Sequence, residues 1–83
     1  MKIQVRYFAS LREALGSAET VELALGGTVS ALRDSLIARG GAHAEALARG
    51  KAVRTAVNQT LCAEDAALTE GAEVAFFPPV TGG

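Results

Sequence analysis

Polar and apolar residues alternate over 2–8. Ile3, Val5 and Tyr7 fall on one side and Lys2, Gln4 and Arg6 on the other. That period predicts a half-buried strand. Phe8 ends the run on the polar side, out of pattern. Ser10-Leu11-Arg12-Glu13 matches a capping box, in which Ser10 takes the Glu13 amide and Glu13 reaches back. It predicts a short helix over 11–15, closed by Gly16. A second alternation over 20–25 places Val21, Leu23 and Leu25 inward, and Gly26-Gly27 breaks it. Thr28 is a good N-cap for a helix over 29–39. Val29, Leu32 and Leu36 make one apolar stripe on that helix, and Gly40-Gly41 stops it.

The Ala-rich stretch 42–50 reads as one helical turn around Leu47. A third strand over 52–57 puts Val53, Thr55 and Val57 on one face. Asn58-Gln59 turns the chain into a short return strand over 60–62. Thr69-Glu70-Gly71 turns it again into a last strand over 73–77. Pro78-Pro79 ends that strand, because proline donates no ladder hydrogen bond. The order is β-α-β-α-β-β-β, an α+β pattern. Residues 20–57 are long enough for a crossover, right-handed if its strands are parallel.

Composition supports one sheet backed by one main helix. Of 83 residues 41 are apolar, but 17 of these are alanine and only 21 are Val, Ile, Leu or Phe. Two helical layers would need more large apolar residues than that. So small a domain leaves little room for a private active site. The net charge of −1 argues against a nucleic-acid surface. No apolar run reaches the ~20 residues of a membrane span. The N-terminal alternation is unlike a signal peptide. One cysteine and one histidine make neither an internal disulfide nor a zinc site. A cytoplasmic location fits these features.

The usual catalytic candidates have simpler explanations. His43 is expected to be a solvated loop histidine and Cys62 a buried small hydrophobe. Glu64-Asp65 reads as a solvated turn, and Ser10 as a cap. No nucleophile, base and orienting group come together. Two features remain. The tail Val80-Thr81-Gly82-Gly83 follows an apolar strand and a proline stop at once. From Pro79 to Gly83 the chain can reach roughly 16–18 Å. Two residues without Cβ can thread a narrow channel to present the terminal carboxylate. A carboxylate is a poor electrophile until activated, for instance as a mixed anhydride with AMP. The tail therefore suits a group carrier whose partners do the catalysis. The second feature is aromatic placement. Val74 and Phe76 point at the helix, whereas Phe77, Phe8 and Leu61 belong to the open face as an apolar patch for a partner protein.

Val5-Arg6-Tyr7-Phe8-Ala9-Ser10-Leu11-Arg12-Glu13-Ala14-Leu15-Gly16, then Ala56-Val57-Asn58-Gln59, then residues 71–83 closely resemble the sulfur-carrier family, in its molybdopterin synthase small-subunit branch. The resemblance covers nearly the whole chain and is weakest over 38–52. It implies a ubiquitin-like β-grasp: a mixed sheet of about five strands, one main helix and short helices over 1–79, with a flexible tail over 80–83. It implies that an E1-like adenylyltransferase uses ATP to adenylate Gly83, and that a sulfurtransferase system converts it to a thiocarboxylate. The tail, Val80, Thr81 and Gly82 included, would then enter the large subunit. Sulfur would pass to cyclic pyranopterin monophosphate, building the molybdopterin dithiolene. Phe8, Leu61 and Phe77 would contact that large subunit in a heterotetramer. The chain would be a non-catalytic sulfur donor with no bound cofactor or metal. The rivals are a carrier serving thiazole or tRNA thiolation, a ubiquitin-like protein modifier, and a plain interaction module.

Overall fold

The first alternation becomes β1 (Lys2–Tyr7), with Ile3, Val5 and Tyr7 buried and Lys2, Gln4 and Arg6 exposed. The computed structural model describes residues 1–79. In chain order β1 is followed by α1 (Ala9–Leu15), β2 (Ala18–Glu22), α2 (Val29–Ile37), α3 (Gly41–Ala46), β3 (Arg54–Val57), β4 (Thr60–Cys62) and β5 (Glu73–Phe77). The strands form one sheet in the order β2-β1-β5-β3-β4. β1 and β5 are parallel, and the other neighbours are antiparallel. This mixed sheet with its main helix α2 is the ubiquitin-like β-grasp. β2 and β3 run the same way, as the crossover requires, but β1 and β5 lie between them.

The core sits between the sheet and α2. Val29, Leu32 and Leu36 on the helix are fully buried with Ile3, Val5, Val74 and Phe76 of the sheet. Leu47 and Leu68, from the connections, join the same cluster. Thr28 caps α2 as predicted, its Oγ1 accepting from the Ala31 amide at 3.2 Å. The next two free amides, Val29 and Ser30, donate to the carbonyls of Ala66 and Glu64 at 3.1 and 2.7 Å. Asn58 and Gln59 take φ values of 48° and 70°. Two successive positive φ values are what a two-residue hairpin needs to match strand twist.

Several local expectations are corrected. Ser10 lies inside α1, whose N-cap is Phe8 with no side-chain bond, so the capping box does not form. The chain leaves β1 directly into α1, and Leu11 and Arg12 amides turn back to the Phe8 carbonyl. Leu25 is 86% exposed, because β2 ends at Glu22 and Leu25 stands in the turn before Gly26. α2 stops at Ile37, and β3 starts at Arg54 rather than at 52. The Ala-rich stretch makes a separate helix, α3, with Leu47 buried at its C-cap.

Two polar clusters fix the loops around this core. Arg33, on α2, is 3% exposed. Its guanidinium donates to the carbonyls of Leu47 (2.8 Å), Ala48 (2.7 Å) and Lys51 (3.2 Å) and to Glu64 Oε2 (2.6 Å). Arg49 closes the cluster through Asp34, Ser30 and Glu64. Burial acts to raise the Glu64 carboxyl, but bonds from Arg49 and Arg33 outweigh it and hold it low. Glu64 does lie in a turn, as expected, but its carboxylate is held by Arg33 and Arg49 rather than solvated.

The second cluster surrounds Glu19 on β2. Its carboxylate accepts from the Tyr7 hydroxyl at 2.7 Å and from Arg39, and lies 2.9 Å from His43 Nε2. The His43 ring stands edge-on to Tyr7, with centroids 6.2 Å apart. His43 is thus a packed residue of α3 and not a solvated loop histidine. Burial would raise the Glu19 carboxyl, but bonds from Arg39, His43 and Tyr7 prevail and hold it at about 2. Burial first, and the bond to Glu19 second, push the Tyr7 phenol upward.

Two stability measurements test these clusters. Arg33→Met leaves three carbonyls without their donor and Glu64 with Arg49 alone, and should cost about 2–3 kcal/mol in urea unfolding. A loss below ~0.5 kcal/mol would show that the cluster holds nothing. Glu19 is depressed from an ordinary value of about 4.3, so its contribution is complete above that pH and fades as pH falls toward about 2. The full displacement is worth about 3 kcal/mol; solvent screening at this partly exposed group reduces it to about 1 kcal/mol. Glu19→Gln should therefore destabilise at pH 7, with the gap closing on acidification. A gap independent of pH would contradict the assignment.

Candidate functional site

The sheet face away from α2 is built by register. Antiparallel and parallel partners share a face, so each ladder row can be read across the strands. One row is polar: Thr20 on β2, Gln4 on β1 and Glu73 on β5, which Asn58 continues by donating its amide to the Glu73 carbonyl at 2.8 Å. The next row is Ala18, Arg6, Ala75, Ala56 and Leu61. The row beyond sets Arg54 opposite Phe77. Phe8, two residues after Arg6, continues β1 beside it and donates its amide to the Phe76 carbonyl at 3.1 Å.

This places Phe8, Leu61 and Phe77 on the same face, as expected. Phe8 is 41% and Leu61 62% exposed, while Phe77 is half-buried. The alanines between them keep the patch flat. Ala56 is itself buried between its neighbours. Val74 and Phe76 point the other way and are fully buried, also as expected. Leu61 is large and exposed, so it is not held out by lack of space. By register it lies one row from Phe77, with Ala56 and Ala75 between them.

β5 delivers the chain to Pro78 and Pro79 just past Phe77. Val80, Thr81, Gly82 and Gly83 lie outside the described residues. On the helical side of the exit is a cleft of about 390 Å³, bordered by Leu11 of α1, Ala46 of α3, Lys51, Val53 and Pro78. β5 therefore ends between an apolar patch on one side and this cleft on the other.

Other candidates stay outside this region or have structural roles. Cys62 is half-buried, and its Sγ lies 3.7 Å from Thr55 Oγ1, in keeping with a small core-edge side chain. Among the described residues no group of three or more His, Cys, Asp or Glu is placed to hold a metal ion. No described helix is long and apolar enough to cross a membrane. Sequence reasoning put Arg6 on the polar side with Phe8 but gave it no role, and missed Arg54 altogether. Arg6 sits with its guanidinium carbon 5.7 Å from the Phe8 ring centroid, and Arg54 stands across from Phe77. The i, i+2 spacing of Arg6 and Phe8 was a usable signal; the Arg54–Phe77 pairing depends on strand register.

The ThiS family model matches residues 5–83. The molybdopterin synthase sulfur carrier subunit of Escherichia coli (strain K12) is 51% identical over 81 residues, 98% of this chain and 99% of that protein. Among solved structures, the putative molybdopterin converting factor subunit 1 from Pyrococcus furiosus is similar, with a TM-score of 0.81 and 30% identity over 96% of this chain and 99% of that one. A protein–protein complex of subunits 1 and 2 of molybdopterin-converting factor from Helicobacter pylori 26695 contains a chain with the same fold. It matches with a TM-score of 0.70 at 24% identity, covering 100% of both chains.

If the open-face patch serves contact rather than folding, its loss should barely affect stability. Leu61→Ser should change unfolding free energy by less than about 0.5 kcal/mol. A loss above ~2 kcal/mol in urea unfolding would make Leu61 part of the fold's own packing.

Proposed function

The chain belongs to the ThiS family, and from that membership we propose that it is the sulfur-carrier subunit of a molybdopterin synthase. The observation that carries this reading is 51% identity, over nearly all of both chains, to a carrier subunit of that enzyme. The geometry agrees with it. The described residues offer a scaffold whose last strand ends beside an apolar face.

In the proposed cycle an E1-like partner uses ATP to convert the Gly83 carboxylate to an acyl-adenylate, releasing pyrophosphate. Sulfide-level sulfur delivered by a sulfurtransferase attacks the acyl carbon, forming the C–S bond as the C–O bond to AMP breaks, and leaves a thiocarboxylate. Its sulfur is a far better nucleophile than the oxygen it replaces. The large subunit docks on Phe8, Leu61 and Phe77 and receives Val80, Thr81 and Gly82 in a narrow passage. The sulfur attacks a side-chain carbon of cyclic pyranopterin monophosphate there, forming a C–S bond as a C–O bond at that carbon breaks. Hydrolysis of the resulting thioester returns Gly83 as a carboxylate and leaves sulfur on the pterin; a second carrier supplies the other dithiolene sulfur. Covalent delivery raises the effective concentration of sulfur at the acceptor, and enclosure limits wasteful hydrolysis. The pairing with a large subunit draws on the Helicobacter pylori complex of subunits 1 and 2.

Intact mass of the protein isolated from its own cells tests the carrier role. The expected result is a population heavier by the exchange of one oxygen for sulfur, absent when Gly83 is deleted. A population joined through Gly83 to lysines of other proteins would make it a modifier instead. Deleting Gly83 should abolish sulfur transfer with little change in melting temperature.

A further inference from the structure

The open face carries charge in a pattern that the docking role does not by itself require. β5, which leads to the tail, presents Ala75 and Phe77 outward. On one flank, β1 places Arg6 opposite Ala75. On the other, β3 places Arg54 opposite Phe77. The two arginines stand on either side of the apolar ridge, one ladder row apart. With strands about 4.8 Å apart and about 6.7 Å between same-face residues, their Cα atoms are separated by roughly 12 Å.

Three arginines elsewhere in the fold are matched to acids, Arg33 and Arg49 to Glu64, Arg39 to Glu19, and Arg49 also to Asp34, while Arg12 on α1 is exposed and has no ion pair among the described residues. Arg54 is exposed and makes no ion pair among the described residues. Arg6 is half-exposed and meets Glu73 only at 3.7 Å. Its guanidinium is held over the Phe8 ring, an arrangement that pre-orients the cation beside the patch. The ridge is therefore bordered by two cations and, in the rows described, by one weakly engaged carboxylate at the far end from the tail.

We propose that Arg6 and Arg54 form a split cationic rim that recognises carboxylates on both sides of the partner's apolar acceptor groove, steering the carrier into register for tail insertion. This rests on the reading of the open face as the large-subunit docking surface, and adds the chemistry that surface must meet. Charged rims act mainly on association rate and orientation, while apolar anchors govern dissociation.

Stopped-flow association with the isolated cognate large subunit tests it. Arg54→Glu should slow association by about tenfold at low salt, and Arg6→Gln by a few-fold, with dissociation little changed. The differences should shrink at about 0.5 M salt, where screening is within a few ångströms. Phe77→Ala should instead speed dissociation at every salt concentration. If Phe77→Ala weakens the complex but Arg54→Glu and Arg6→Gln associate as fast as the unaltered chain at low salt, the rim proposal is overturned and the docking reading stands. If the unaltered chain does not bind the large subunit at all, both fall.

Discussion

The last strand of the chain is a middle strand of the sheet, and the rest of the structure depends on that placement. β5 is bonded to β1 on one edge and β3 on the other. Its inward residues Val74 and Phe76 are fully buried against the α2 side of the fold. A segment tied on two edges and one face cannot drift. The tail thus starts from a fixed point and direction, which a carrier needs if its end group is to arrive at another protein's active centre. An edge strand with one bonded side would give a looser origin.

Arg33 and Glu19 extend that rigidity to connections the thin core cannot hold. Alanine contributes little burial, and the chain is rich in it. The loop at 47–51 is fixed by three carbonyl bonds to one guanidinium, and α3 is tied to β2 through Glu19. Polar clusters thereby do work that large side chains would do in a bigger domain. They lie on the helical side and leave the opposite sheet face free for contact.

Much of this was legible from pattern. Strict alternation marked β1, the Thr69-Glu70-Gly71 turn and the proline stop marked β5, the Val29, Leu32 and Leu36 stripe marked α2, and parity alone sent Phe77 to the face opposite Phe76. Parity within β1 likewise put Phe8 on the polar side of that strand, while Leu61 was joined to the patch only by its place just after the hairpin. What escaped depends on partners distant in sequence. His43 looked solvated because Glu19, 24 residues away, is invisible to local reading. Glu64 is the turn residue it looked like, but it looked solvated because Arg33 is 31 residues away. Ser10 had the capping spacing, but direct passage from β1 into α1 placed the helix start two residues earlier. Leu25 fitted the alternation beyond the point where β2 loses its partner. The arginine rim could not be read without register, since Arg54 and Phe77 lie on different strands.

The proposed role, supply of sulfur through Gly83 to a molybdopterin synthase, is open to direct test. The direct measurement is reconstitution: the chain with a chemically installed Gly83 thiocarboxylate, a molybdopterin synthase large subunit and cyclic pyranopterin monophosphate, with no other sulfur source, assayed for molybdopterin. The account predicts two carriers consumed per molybdopterin formed and the chain recovered as its carboxylate. Intact thiocarboxylate with no molybdopterin, under conditions where the Escherichia coli carrier subunit supports product, would contradict it.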